Sequence, residues 1–222
     1  MMHMRTARWL LLLPFLAACE PIFSDQPLGE VATLEPADWN GVWIGSSGEE
    51  GKSRVARFAV ADAKAGVLDA PGLCEAAAEP CRLTIRRSGS WHFVVRDDPR
   101  DLRFGHCGDG SCRYSAVWLR EGPALYWYAF DTAAVKNLIE LGALPGRIGD
   151  EDKAILGPLT SQQMRVLLPE RKNFGRRMPA VSMPAGETFV KLPDEVVPCE
   201  AARGDATRQP AGSRDVACAP GR

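Results

Sequence analysis

The segment CRLTIRRSGSWHFVVR (residues 81–96) decides the fold, because it contains two strand patterns joined by a turn pattern. Apolar and polar residues alternate in both halves, which is typical of half-buried strands. The apolar side chains that share a face of each strand are Leu83 and Ile85, then Trp91, Phe93 and Val95. The RRSGS between them carries the glycine and serines of a hairpin loop. The segment therefore predicts an antiparallel hairpin.

Strand patterns separated by turn residues continue on both sides of this hairpin. The predicted strands are Gly41–Gly45, Arg54–Ala61, Gly66–Ala70, Cys81–Arg86, Trp91–Arg96, Arg113–Arg120, Ala124–Phe130, Ala154–Leu156 and Thr188–Leu192. Strands that follow one another in this way predict a mainly β protein with an antiparallel up-and-down barrel, because closure of the sheet removes exposed strand edges. A β-sandwich is the alternative fold.

Two helices are predicted towards the C-terminal part of the barrel. TAAVKNLIELG (132–142) follows a potential N-cap, Asp131, and ends at a glycine, with an apolar stripe between them. TSQQMRVLLPE (160–170) begins with Thr160 and Gln163, which fit a capping box. Both segments change the apolar period from that of a strand to that of a helix.

The N-terminal residues have the pattern of a secretory signal. Arg5 and Arg8 precede an apolar run of ten residues, from Trp9 to Ala18. A run of this length is too short to cross a hydrocarbon core about 30 Å thick. A charged start, a short apolar middle and small residues before a cleavage site predict a signal peptide over residues 1–18.

The end of this run, LAAC (16–19), resembles the lipobox of bacterial lipoproteins. The resemblance implies that Cys19 carries a diacylglycerol and becomes the first residue of the mature chain. Glu20 follows it, which by the same resemblance favours the outer membrane, with the protein facing the periplasm. The alternative is an ordinary signal peptide that ends near a cysteine. Two or more acyl chains give stable anchoring, so we expect the membrane as a partner through this anchor alone.

The rest of the chain divides into three predicted parts. Residues 19–37 contain prolines and no clean periodicity, and are predicted to form a lipid-anchored tether. Residues 38–197 form the predicted barrel domain. Residues 198–222 are rich in proline, glycine, alanine and arginine, which predicts a tail that is disordered or held by a disulfide.

Six cysteines remain besides the one in the lipobox: Cys74, Cys81, Cys107, Cys112, Cys199 and Cys218. An even number in an oxidising compartment predicts disulfides, and the clustering favours pairs between sequence neighbours. HCGDGSC (106–112) offers too few ligands for a structural zinc site, which needs about four. We therefore predict a disulfide loop there, and no metal site.

Charge and motifs argue against several classes of function. The chain has 27 Lys+Arg and 28 Asp+Glu, without the basic excess of a nucleic-acid-binding protein. It has no G-x-S-x-G motif. The carboxylates of Asp97, Asp98 and Asp101 are more typical of a solvated turn than of a hydrolase site. We expect a non-enzymatic protein with no catalytic residues and no cofactor; a hydrolase is the less favoured alternative.

The first predicted strand carries a family resemblance. DWNGVW (38–43) resembles the G-x-W signature that opens lipocalins, with Gly41 and Trp43 in the matching places. The resemblance implies an eight-stranded barrel whose tryptophan closes one end and whose interior holds a small lipophilic ligand. Aromatic side chains with a polar tip suit the lining of such a cavity. The candidate ligand-binding residues are Trp43, Trp118, Tyr126 and Tyr128.

An alternative function is an interaction module that docks an envelope protein or inhibits an exogenous enzyme. The two functions predict different interiors. A ligand carrier needs a cavity inside the barrel, whereas an interaction module has a filled barrel and an exposed apolar or charged patch.

Overall fold

The structure is a computed structural model, and it describes residues 20–46, 53–71, 73–74, 81–100, 103–108, 110–170, 180–182 and 188–193. Its strands are β1 Ile22–Ser24, β2 Glu30–Val31, β3 Gly41–Ser46, β4 Ser53–Asp62, β5 Val67–Asp69, β6 Arg82–Ser88, β7 Trp91–Val95, β8 His106–Gly108, β9 Ser111–Tyr114, β10 Ala116–Glu121, β11 Ala124–Phe130, β12 Gly146–Ile148, β13 Ala154–Leu156, β14 Val181–Ser182 and β15 Thr188–Lys191. The α-helices within these ranges are α1 Pro36–Trp39, α2 Thr132–Glu140 and α3 Ser161–Leu167, and a 3₁₀ turn covers Asp150–Asp152.

Eight of the strands close into an antiparallel barrel in the order β3-β4-β5-β6-β7-β10-β11-β15, and β15 pairs back with β3. The register aligns Trp118 with Trp127 across β10 and β11, and Val190 with Ile44 at the closure. Barrel neighbours follow chain order, so the topology is up-and-down. The predicted barrel is therefore confirmed, and the alternative sandwich is excluded.

A second sheet lies outside the barrel, with the strand order β12-β13-β1-β9-β8. β1 occupies its centre, parallel to β13 and antiparallel to β9. Together with α2 and α3, this sheet packs on the outer side of β7, β10 and β11. The chain leaves the barrel after β7 to form β8 and β9, and again after β11 to form α2, β12, β13 and α3.

The alternation of side chains separates two hydrophobic cores. The inner core fills the barrel and includes Trp43, Phe58, Leu83, Ile85, Trp118 and Phe189. The outer core lies between the barrel wall and the second sheet, and includes Ile22, Phe93, Tyr114, Val117, Tyr128 and Leu156. All five residues of β7 are buried, because both of its faces are covered.

The N-terminal segment differs from the prediction of a tether over residues 19–37. From Glu20 onwards it is part of the fold: Leu28, Ala32 and Leu34 are buried, and the side chain of Arg86 donates hydrogen bonds to the carbonyls of Leu28 and Gly29. The segment showed no period because it contributes only strands of two or three residues. Its order comes from tertiary contacts that local patterning does not reveal.

One predicted strand is divided. Residues 113–120 were predicted as one strand, but Arg113 belongs to β9 in the outer sheet and Ala116 begins β10 in the barrel. The division falls at Ser115, where the chain passes from one sheet to the other. Arg113 and Tyr114 continue directly into the apolar run of Ala116 to Leu119, so the sequence pattern alone does not show the change of sheet.

The two predicted helices are confirmed. The Asp131 side chain accepts a hydrogen bond from the Ala134 backbone N–H at the start of α2, and Thr160 and Gln163 form a reciprocal capping box on α3. The single turn α1 was not predicted. None of the described helices combines the length and apolar character needed to cross a bilayer.

Two predicted disulfides are confirmed. Cys74 bonds to Cys81, and Cys107 bonds to Cys112 across the β8–β9 hairpin. HCGDGSC is therefore a hairpin closed by a disulfide. The predicted pair Cys199–Cys218, the predicted lipidation site Cys19, the signal peptide and the C-terminal tail lie outside the described residues.

The packed barrel interior and a candidate interaction groove

The four predicted ligand-binding aromatics lie on opposite sides of the barrel wall. Trp43 and Trp118 point inward, whereas Tyr128 is in the outer core and Tyr126 packs against it. The inward residue between the two tyrosines is Trp127. Every residue from Tyr126 to Tyr128 is aromatic, so alternation did not show which face is the interior. The prediction that the four line one cavity is therefore corrected.

Aromatic rings fill the interior instead. The ring of Phe58 lies 5.3 Å from that of Trp43 and 6.0 Å from that of Trp118, and Trp118 lies 6.0 Å from Trp127, measured between ring centroids. These are contact distances for aromatic pairs. A Cβ at Gly45 would lie 2.5 Å from the Phe189 ring, which covers that position. The described part of the interior is thus packed with the protein's own side chains.

Helix α1 covers one end of the barrel. The indole Nε1 of Trp43 donates a hydrogen bond to the Trp39 carbonyl at 3.0 Å. The guanidinium carbon of Arg120 lies 5.4 Å from the centre of the Trp39 ring, and Arg120 also pairs with Asp38 at 3.0 Å. The hydrogen bond from Arg120 lowers the pKa of Asp38. Trp39 is thereby fixed over the interior, with 2% of its surface exposed.

Phe104 covers the opposite end. It follows the loop after β7, and its ring lies 5.5 Å from that of Trp127. Gly105 ties this loop to the barrel: its N–H donates to the carbonyl of Val94, and its carbonyl accepts from Arg96. A Cβ at Gly105 would lie 2.9 Å from the Tyr114 ring, so a larger residue would displace the loop.

His92 is a buried titratable residue on the inner wall. Its ring lies 5.4 Å from that of Trp39, and its Nδ1 has no hydrogen-bond partner among the described residues. Burial, and then the positive charge of Arg120, lower its pKa to about 4. The imidazole is therefore neutral at pH 7, as a packed side chain.

A groove of about 840 Å³ opens on the outer surface. Its walls are the segment from Ser24 to Glu30, the β6–β7 hairpin and the region of α3. Its floor consists of outer-core side chains: Leu28, Trp91, Met164 and Leu168. The groove is thus the place where the outer core reaches the surface.

The rim of the groove carries charges of both signs and several hydroxyls. Arg87 and Arg165 supply the cations, and Glu30 and Glu170 the carboxylates. All four residues are exposed to solvent. A binding partner would therefore meet an apolar floor within a mixed polar rim.

Specific hydrogen bonds hold the groove walls in place. The buried hydroxyl of Tyr114 accepts from the Leu28 N–H at 2.8 Å, and burial raises the pKa of Tyr114. A Cβ at Gly29, whose φ is +73°, would lie 2.7 Å from the Arg87 carbonyl oxygen. On the opposite wall, the indole N–H of Trp91 donates to the Pro169 carbonyl at 3.2 Å. These contacts fix the positions of both groove walls relative to the barrel.

The acidic turn considered for hydrolysis is held by ion pairs. Hydrogen bonds from the Arg100 side chain and backbone N–H lower the pKa of Asp98 to about 2. Asp101 lies outside the described residues. In the part of the chain that the structure describes, no three His, Cys, Asp or Glu side chains converge as metal ligands would.

Comparison with known proteins finds no matching family model, no similar curated protein and no similar solved structure. The class of the fold therefore follows from the topology itself: a closed eight-stranded antiparallel barrel with a second sheet on one wall. Sequence analysis did not find the groove, because it joins residues near 28 with residues near 164. The only local signals were Trp91 on a strand and the capping box before α3.

Proposed function

We propose that the mature chain is a lipid-anchored envelope protein that binds a protein partner in the groove, and is not a carrier of a small apolar ligand. The filled barrel interior carries this proposal. A carrier needs an enclosed cavity of several hundred Å³, but Trp43, Phe58 and Trp118 occupy the space in which the ligand would lie. Trp39 and Phe104 cover the two ends.

The chemistry of the groove favours a polypeptide as its occupant. Protein interfaces typically combine an apolar centre with a polar rim. The floor around Leu28 and Met164 offers the former, and Arg87, Arg165 and Glu30 offer the latter. Because the rim carries both signs of charge, a segment with mixed charges fits it better than a uniformly anionic or cationic ligand.

The anchor and location rest on the sequence. The lipobox supports a lipid on Cys19, and Glu20 after it supports the periplasmic side of the outer membrane. Neither a catalytic residue nor a cofactor enters this proposal, and the absence of enzymatic activity stays a prediction.

Site-specific photo-crosslinking in intact cells tests the groove. A photoreactive residue at Ser161, which is exposed on the groove wall, is compared with one at Val190, which is 45% exposed on the barrel wall away from β6 and β7. We expect a discrete protein adduct from position 161 only, because an interface reaches one face of the barrel. The adduct should weaken when Arg165→Glu reverses the charge at the rim.

Two results would contradict the proposal. The same adducts from positions 161 and 190 would indicate collisions rather than binding. An adduct at position 161 that proves to be lipid, and not protein, would assign the groove to a different occupant.

A further inference from the structure

Glu20 is attached to the start of α2 by two contacts. The carbonyl oxygen of Glu20 accepts a hydrogen bond from the Thr132 hydroxyl at 2.6 Å, at the start of α2. The Glu20 carboxylate lies 3.6 Å from the ammonium of Lys136, which also contacts Asp152. Those carboxylates raise the pKa of Lys136, Asp152 more than Glu20. Glu20 is therefore held from both its backbone and its side chain.

The chain continues from this contact directly into the second sheet. Ile22, two residues further on, is fully buried at the centre of the second sheet. Neighbouring Cα atoms in a chain are about 3.8 Å apart, so the contacts of Glu20 lie one peptide unit from the proposed lipidation site. A lipid on Cys19 would begin at the surface of the protein instead of at the end of a tether.

We propose that the lipid on Cys19 holds the barrel directly against the bilayer, with the surface around Glu20 and the first turn of α2 facing the membrane. The α1 end of the barrel, with the hairpin wall of the groove, is then directed away from it. The inference rests on the proposed anchor. It deepens the proposed function, because it states from which side the groove is reached.

The path of the chain gives this direction. Thr132 follows the end of β11, so Glu20 is level with the barrel end that Phe104 covers. The β6–β7 hairpin, which forms one groove wall, is at the α1 end: Ser90 accepts from the Arg120 N–H, and Arg120 contacts Trp39. The anchor and the hairpin wall of the groove are therefore at opposite ends of the barrel, whereas the wall that begins at Ser24 lies nearer the anchor.

The length of the barrel sets the distance between its two ends. β11, which runs from the α1 end towards Thr132, has seven residues, and a strand of that length with a tilt of about 40° spans about 18 Å along a barrel axis. At that height the hairpin wall of the groove would meet proteins in the periplasm and not lipid headgroups of the membrane that holds the anchor. This is consistent with a polypeptide partner.

Charge does not supply the membrane contact. The exposed groups near Glu20 include Asp150, Glu151 and Asp152, against Lys136 and Lys153. Anionic headgroups attract clusters of cations, which this surface lacks among its described residues. Because the named carboxylates outnumber the two lysines, we expect anionic lipid to weaken this orientation and not to strengthen it.

Fluorescence quenching tests the orientation. The lipidated protein is isolated from membranes and reconstituted in phosphatidylcholine vesicles that carry nitroxide on the lipid headgroup. A fluorophore is placed at Ala133→Cys, which is exposed beside Thr132, or at Lys64→Cys, which is exposed in the β4–β5 turn at the α1 end. The unsubstituted protein gives the labelling background. We expect a several-fold greater loss of fluorescence at position 133.

A second variant tests whether the contact of Glu20 sets this orientation. Thr132→Val removes the hydroxyl that holds the Glu20 carbonyl and keeps the side-chain shape, and Thr84→Val on β6 is the matched control. Thr132→Val should reduce the difference in quenching between positions 133 and 64, while Thr84→Val should not change it. Equal quenching at both positions in the parent protein would overturn the inference.

The outcomes separate the two proposals. A mass of the mature chain without diacylglycerol on Cys19 would overturn the anchor and the orientation together. A lipidated chain with equal quenching would overturn the orientation alone, and the crosslinks from position 161 would still decide the groove.

Discussion

The inner and outer cores use opposite faces of the same strands, β7, β10 and β11, but they are assembled differently. The inner core joins strands that follow one another around the barrel, and its aromatic rings contact one another around Trp118. The outer core joins β1, near the N-terminus, to segments after β11, such as α3. This part of the barrel wall is therefore used on both faces: the inner face packs the barrel interior, and the outer face carries a layer that contains the groove.

The largest effect expected is from removing a tryptophan in either core. Trp118→Ala in the inner core and Trp91→Ala in the outer core each delete a side chain that is at most 3% exposed. Each should lower the free energy of unfolding by about 3–5 kcal/mol. Urea unfolding, followed by near- and far-UV circular dichroism, measures the loss.

The same experiment can break the comparison. One coincident transition in both variants would mean that the cores unfold as a unit. An early transition in Trp91→Ala alone would mean that the outer layer unfolds independently of the barrel, which the continuous burial along β7 does not predict.

Acid should act mainly on the inner core. The pKa of His92 falls from 6.5 to about 4 on folding, so the unfolded chain binds the proton more tightly between these values. The contribution of neutral His92 to the free energy of unfolding is therefore fully present above about pH 6.5. It is lost as the pH drops towards 4, which lowers the free energy of unfolding by a few kcal/mol. His92→Phe should flatten this part of the pH profile, measured by urea unfolding. The outer-layer control His106→Gln should retain it; an unchanged profile in His92→Phe would contradict this assignment.

The two disulfides close loops of similar length, one in each layer of the protein. Removing them one at a time therefore compares the two cores. Cys107 and Cys112, in the outer sheet, are separated by five positions in the sequence. Cys74 and Cys81, beside the inner core, are separated by seven. Replacing either pair by alanine should cost about 2–3 kcal/mol through loop-closure entropy. Hydrogen exchange should then increase locally, at β8 and β9 in the first variant. Increased exchange throughout the barrel in that variant would show tighter coupling than we infer.

The smallest expected effect is at a helix cap of the outer layer. Asp131 caps α2 by accepting from the Ala134 N–H at 3.0 Å. Asp131→Ala should cost about 1 kcal/mol, and Asp131→Asn should recover most of it. Thermal unfolding measures both. Equal losses in the two variants would point to the charge of Asp131 and not to its capping oxygen.

The sequence predicted those parts of the fold that depend on local patterns. The hairpin from Arg82 to Val95 alternates, and the signals that begin and end the two helices are local, so both were predicted. The sequence ALYWYAF (124–130) did not show which side chains of β11 face the barrel interior, because both faces of this strand are apolar. Tyr126 and Tyr128 were placed on the wrong side for this reason.

Long-range contacts explain the remaining differences. Ile22 is buried because β9 and β13 lie on either side of β1. The sequence of residues 20–34 alone does not predict these partner strands. The groove depends on the same contacts, since the Tyr114 hydroxyl fixes Leu28 opposite α3. Its residues are therefore found only once the outer layer is assembled.

Native mass spectrometry tests most directly the claim that the barrel is filled by its own side chains. The mature chain, exported without its anchor, is measured before and after extraction with organic solvent. We predict the mass of the protein alone in both cases, because Phe58, Trp118 and Trp127 occupy the interior. A lipid or other apolar molecule bound at high occupancy and released by extraction would contradict the account, and would return the barrel to the role of a ligand carrier.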